Sequence, residues 1–253
     1  MLFIQKIITF ASDNEDLFNK QIIMKKFLLM AFLLLVGVGA NAAVNGDDKK
    51  TDIVLSDGED YELTMHLGLG VNMALDVPDG YDFAPFKSWD VQWTALSYDF
   101  NPKGGSQTYS IGFGLNWSNF GLKDNGTVFD KGNNNMVGLM PALPGSDDRY
   151  SSIHRLSLNI PILFTQDFGK NFSLTLGPVV NFNTGLWLHN SWSDGDLDYN
   201  ATTRKLKQNP VTVDVMGVFD IFGVGIYCKY SPMKVFKKGY GPEFQSLTLG
   251  LYL

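Results

Sequence analysis

The sequence predicts an all-β fold: an eight-stranded antiparallel up-and-down transmembrane β-barrel of the outer-membrane type. Three observations carry this. Segments with an apolar residue at every second position recur along the chain. The connections between them alternate long and short. The last segment, QSLTLGLYL, keeps the alternation up to Leu253, where most soluble domains end in frayed polar residues.

Composition agrees. Hydrophobic residues make up 45% of the 253 residues, but they are not gathered into the several long runs a helical membrane protein needs. Charged residues are only 18%, aromatics reach 13% and there are 26 glycines, a mixture suited to closely packed strands with aromatic belts. The net charge of −6 offers no basic face for nucleic acid. The single cysteine, Cys228, excludes an intrachain disulfide and reads as a small apolar filler on a strand.

The chain opens with residues 1–23, which carry Asp13, Glu15 and Asp16 and do not fit a targeting signal. They are read as a non-native extension, with Met24 as the true start. From Met24 to Ala42, two lysines, an apolar run and Ala40-Asn41-Ala42 describe a secretory signal peptide, with cleavage expected between Ala42 and Ala43. Residues 43–60 are polar and acidic and read as a flexible periplasmic lead-in. The barrel is expected over 61–253.

Eight strands follow in order. ELTMHLGLGVNMA places Leu63, Met65, Leu67, Leu69, Val71 and Met73 on one face. SWDVQWTALSYDF begins with Trp89, Val91 and Trp93 on one face, then slips phase near Leu96. YSIGFGLNW alternates from Tyr109 to Trp117. HRLSLNIPILFT puts His154, Leu156, Leu158, Ile160, Ile162 and Phe164 together, and FSLTLGPVVNFN does the same for Phe172, Leu174, Leu176, Val180 and Phe182. VTVDVMGVF and FGVGIYCKY add strands six and seven, and QSLTLGLYL closes the set. Most are 9–13 residues, the length a tilted strand needs to cross a bilayer. The opposite faces, rich in Gly, Ser, Thr and Asn, suit a narrow interior.

The connections Asp76–Ser88, Asn119–Arg149, Gly185–Asn209 and Ser231–Glu243 are longer than those between them. Long loops outside the cell and short turns in the periplasm give this rhythm in outer-membrane barrels. An even strand count returns both termini to the periplasm. The last strand must pair with the first, so that no edge faces lipid. A soluble sandwich or lipocalin-like barrel is the rival, but it would need a better charged surface than these faces supply.

The segments LSLNIPILFTQDFGKNFSLTLGPVVNF and KKGYGPEFQSLTLGLYL resemble the PorT-like outer-membrane β-barrel proteins of the Bacteroidota. That resemblance implies a location in the cell outer membrane. One branch of the family is linked to a protein secretion system.

Candidate functional residues lie inside the barrel and in the loops. Arg155, Asp214, His66 and Lys229 are expected to face inward and form a polar plug. Asp194, Asp196, Asp198 and Asn200 alternate in one loop, but without the pattern of a calcium loop they read as solvated surface. Lys234, Lys237 and Lys238 are candidates for lipopolysaccharide contact. Met136, Leu139, Met140 and Leu143 form an apolar patch that either meets a partner or folds over the barrel mouth. Of the histidines, His189 has Asn190, Ser191 and Asp194 nearby in sequence. No catalytic residue, metal site or cofactor is assigned. The expected role is non-enzymatic, structural or interactive through the extracellular loops. The alternatives are a lipid-A-modifying barrel enzyme and an accessory component of a secretion system. The expected partners are the bilayer, lipopolysaccharide and the barrel-assembly machinery that reads the C-terminal strand, with an unidentified protein at the loops.

Overall fold

The computed structural model describes residues 61–123, 126–142, 147–194 and 197–253. The readings placed on residues 1–60, including the Ala42/Ala43 cleavage, and on Leu143 lie outside these.

Among the described residues there are eleven strands: β1 (Tyr61–Leu75), β2 (Trp89–Phe100), β3 (Gln107–Gly121), β4 (Thr127–Lys131), β5 (Val137–Pro141), β6 (Asp147–Asp167), β7 (Phe172–Asp194), β8 (Leu197–Thr203), β9 (Val211–Ile221), β10 (Val224–Ser231) and β11 (Gln245–Tyr252). Eight of them close a barrel. β1 pairs with β2, β2 with β3, β3 with β6, β6 with β7, β7 with β9, β9 with β10, β10 with β11, and β11 returns to β1, all antiparallel. The final segment does close on the first: Leu69 lies opposite Leu251, and Leu67 and Leu253 exchange backbone hydrogen bonds at 2.8 and 2.9 Å. A closed ring leaves every strand partnered inside the membrane, where an unpaired N–H or C=O costs several kcal/mol.

Alternation sends the apolar set outward. Ile111, Phe113 and Leu115 on β3, Val211, Val213 and Val215 on β9, and Leu249 and Leu251 on β11 are exposed on the outer surface. Their neighbours Gly112, Gly114, Asn116, Thr212, Asp214 and Thr248 are buried inside. Tyr109 and Trp117 bracket the apolar stretch of β3. Eight steps of about 3.3 Å, tilted by about 40°, separate them by roughly 20 Å along the membrane normal, close to the apolar band of such barrels.

The phase slip in β2 is a β-bulge. The register with both β1 and β3 shifts between Thr94 and Leu96, so Ala95 is the extra residue. It keeps Leu96, Tyr98 and Phe100 outside after Trp89, Val91 and Trp93, and restores Ser97 to the interior.

The long connections hold more β-structure than their sequences show. β6 and β7 run to 21 and 23 residues, well beyond a bilayer, and β7 turns back as β8. β4 and β5 form a separate hairpin within the second long loop. Above the membrane no lipid face enforces alternation, so these extensions carry a weak periodic signal.

Candidate functional site

Three features occupy the barrel from inside to outside.

The first is a polar crossing of the lumen. Lys229 of β10 donates to Asp90 of β2 at 2.9 Å and to Gln92 Oε1 at 3.2 Å, and both ions are 1% exposed. Asp90 also accepts from Asn116 at 3.0 Å, from Ser118 at 2.7 Å and from Tyr227 Oη at 3.3 Å. Gln92 reaches Met216 Sδ on β9 at 3.5 Å. A carboxylate and an ammonium in a low-dielectric interior need short-range partners of this kind to offset the cost of leaving water. Arg155 lies beside this group, with Nη2 at 3.5 Å from Ser118. Asp214 accepts from Asn181 at 2.8 Å, and His66 stacks on Tyr252 at 5.2 Å. Arg155, Asp214, His66 and Lys229 thus all sit inside. Asp90 and Gln92, which the sequence reading did not single out, complete the crossing; their position opposite Trp89, Val91 and Trp93 was the available signal.

The second is an apolar cap at the loop end. Phe120, Leu122, Phe129, Val137, Ile153, Leu186, Leu188, Leu206, Val235, Phe236 and Phe244 are buried together, with Tyr81 and Phe83 packed on them. Each long connection contributes. The Phe83 ring meets the Phe244 ring at a tilt of 48° with centroids at 4.8 Å, Val137 N–H donates to Tyr240 O at 3.0 Å, and Asn190 donates to Phe129 O at 2.8 Å. Burial pushes the Tyr81 phenol above its ordinary pKa. The apolar patch is divided by this arrangement. Val137 is buried and Leu139 packs on the cap, whereas Met136 and Met140 are exposed.

The third lies on the outer rim. Trp89, Trp117, Trp187 and His154 form one aromatic group; His154 stacks on Trp187 with centroids at 5.4 Å and 8° between planes. Beside Trp187, β7 leaves β9 after Phe182 and does not meet β8 until Leu188. The gap is a groove of about 410 Å³ lined by Thr184, Gly185, Leu186, Trp187, Arg204, Lys205, Leu206 and Gln208. The segment carrying Arg204 to Asn209 pairs with the segment carrying Lys234 to Lys238. Lys237 N–H donates to Lys207 O at 3.1 Å, and Asn209 Nδ2 donates to Lys234 O at 2.7 Å. Lys234, Lys237 and Lys238 are therefore joined by Arg204, Lys205 and Lys207, cations from another loop that the sequence reading passed over although TRKLK is a basic run. Lys131 of β4 reaches the Arg204 carbonyl at 3.4 Å.

Of the sequence neighbours of His189, Asn190 is turned away from it, accepting from Ser151 at 2.6 Å, because adjacent residues of a strand face opposite sides. His189 instead packs against Tyr150 and His154, with centroids at 6.1 Å in both cases. At the opposite end of the lumen, Thr64 Oγ1 donates to Asp99 at 2.6 Å and lies 3.0 Å from His66 Nε2. The acidic run spans the β7–β8 hairpin. Asp198 accepts from Ser193 at 2.7 Å, so Asp194 and Asp198 belong to different strands.

No protein-family model matches this chain, and no curated protein matches it in sequence. Among solved structures it is similar to the crystal structure of Ail, the attachment invasion locus protein of Yersinia pestis. Identity is 9%, over 78% of this chain and 100% of that one, with a TM-score of 0.31. The closed strand pairing defines the fold independently of that likeness.

Proposed function

We propose that the protein is a non-enzymatic outer-membrane barrel that acts through its extracellular rim and loops. The observation that carries this reading is the double closure of its interior. The Asp90–Lys229 pair crosses the lumen, and Phe129, Phe236 and Phe244 pack into an apolar cap at the loop end. An eight-stranded barrel has room for side chains, not for a channel. Chemistry open to a partner then remains on the loops, at the basic Lys234, Lys237 and Lys238 and at the exposed Met136 and Met140. Lipopolysaccharide is the partner that fits the lysines, since lysine serves phosphate as a point charge.

Two tests address this. Purified protein run on a gel with and without boiling should show a heat-modifiable shift. In a planar bilayer it should show no stepwise conductance. Ion steps would overturn the closed interior; the lack of a gel shift, with solubility in the absence of detergent, would overturn the membrane barrel.

The resemblance of LSLNIPILFTQDFGKNFSLTLGPVVNF to PorT-like proteins supports a second reading, an accessory role in protein secretion. Co-purification of periplasmic or outer-membrane components would favour it. The lipid-A-modifying alternative needs a nucleophile within hydrogen-bond reach of a histidine base; Ser152 Oγ lies 3.0 Å from His154 Nε2, but Ser152 is 0% exposed. Exposure of lipid A to the protein should leave its mass unchanged.

A further inference from the structure

We propose that the groove between β7 and the Arg204–Gln208 segment is a seat for the phosphorylated headgroup of an outer-leaflet lipid, with Arg204 and Lys205 as its cations. This deepens the rim reading given above and rests on it.

Four observations converge. The groove is a break in strand pairing, about 410 Å³ in volume, and its lining combines two cations, the Gln208 amide and the Thr184 hydroxyl with the Trp187 ring. The Thr184 hydroxyl already donates to Leu156 O at 3.2 Å and the Gln208 amide to Asn183 O at 3.0 Å, so Arg204 and Lys205 are the groups that answer phosphate oxygens. Its height is set by Trp187, which belongs to the outer aromatic group. Tryptophan belts mark the membrane–water interface, so the groove opens where lipid headgroups lie.

Charge on the surrounding surface is unbalanced. Gln208 and Phe236 form an antiparallel bridge, which sets Lys207 directly opposite Lys237. Both are exposed, and like charges facing each other across a strand pair destabilise it. Among the described residues, Arg204, Lys205, Lys207, Lys234, Lys237 and Lys238 make no ion pair with a carboxylate. Neither Lys207 nor Lys237 lines the groove, so both act on an anion there through the positive field of the rim.

The backbone also holds the cations in place. Lys205 has φ of 60°, in the left-handed region that favours glycine, and the next residue, Leu206, is anchored in the apolar cap. An outlying backbone angle at a non-glycine residue points to a function for its side chain.

The strain supplies a clean variant. Lys205→Gly removes the cation and relaxes the backbone, so it lowers binding without weakening the fold. Arg204→Gln removes the second cation. The full-length protein and both variants, each first shown to be heat-modifiable, would be titrated in neutral detergent with phosphorylated lipid A, with phosphatase-treated lipid A and with inorganic phosphate. A control variant, Lys123→Gln, removes an exposed lysine paired with Asp82 away from the groove. Each groove variant should lose about fivefold in affinity for phosphorylated lipid A, as for one basic residue at a membrane surface. The phosphatase-treated lipid should bind the wild type weakly, and Lys123→Gln should match the wild type. Equal binding by wild type and both groove variants would overturn the site. Inorganic phosphate binding as tightly as the lipid, with the same dependence on Lys205, would overturn the lipid as its source. Loss of the heat-modifiable shift in the wild type would instead defeat the barrel reading itself.

Discussion

At the scale of single residues, the Asp90–Lys229 pair is the most consequential contact in the barrel. The two residues are 139 positions apart, and their bond crosses the lumen at 2.9 Å. Removing one partner leaves the other charged and buried. Lys229→Met should therefore destabilise the barrel by about 3–5 kcal/mol, measured as a drop in urea midpoint or gel-shift temperature. The double variant Asp90→Asn with Lys229→Met should recover part of that loss, because no unpaired ion remains. Gly250 shows a different constraint. A Cβ there would meet the Leu69 carbonyl and lie 2.6 Å from the Tyr227 ring, so backbone would have to move. Gly250→Ala should slow or prevent closure of β11 on β1, visible as a reduced folded fraction in detergent refolding.

At the scale of elements, β2 shows how one residue controls the face of a strand. Ala95 is the bulge, so deleting it leaves Thr94 inside and Leu96 outside. That deletion should retain the heat-modifiable shift. Deleting Val91 from the same strand should abolish it, since a one-residue slip turns Asp90 toward lipid and Trp89 inward. The period-two pattern made the eight barrel strands legible, and the slip near Leu96 was visible as an irregularity. The upper parts of β6 and β7, and the hairpins β4–β5 and β7–β8, were not legible. They stand in water or on one another, where neither lipid nor a closed lumen imposes alternation.

For the whole molecule, barrel and cap are held by different interactions. The barrel is held by a closed ladder of backbone bonds, the cap by side chains from the long connections. Phe129→Ala removes a fully buried ring that packs on Tyr81 and Phe83. A cost of about 3–5 kcal/mol is usual for such a change. Limited proteolysis should then cut the loops faster, while the gel shift of the barrel stays in place.

The sequence by itself determined the eight barrel strands, which of their faces meets lipid, and the pairing of last strand with first. These follow from local alternation and from the rule that no strand edge is left in hydrocarbon. It also showed that Lys229, Arg155, Asp214 and His66 share the polar side. Only the tertiary structure decided that Lys229 finds Asp90, that Val137 and Leu139 turn into a cap while Met136 and Met140 stay outside, and that Arg204, Lys205 and Lys207 join the lysines of the last loop. The reason is physical. A face is fixed by the spacing of neighbours along one strand, whereas a partner is fixed by the stagger of strands around the barrel and by how the loops pack, and neither is written in any single segment.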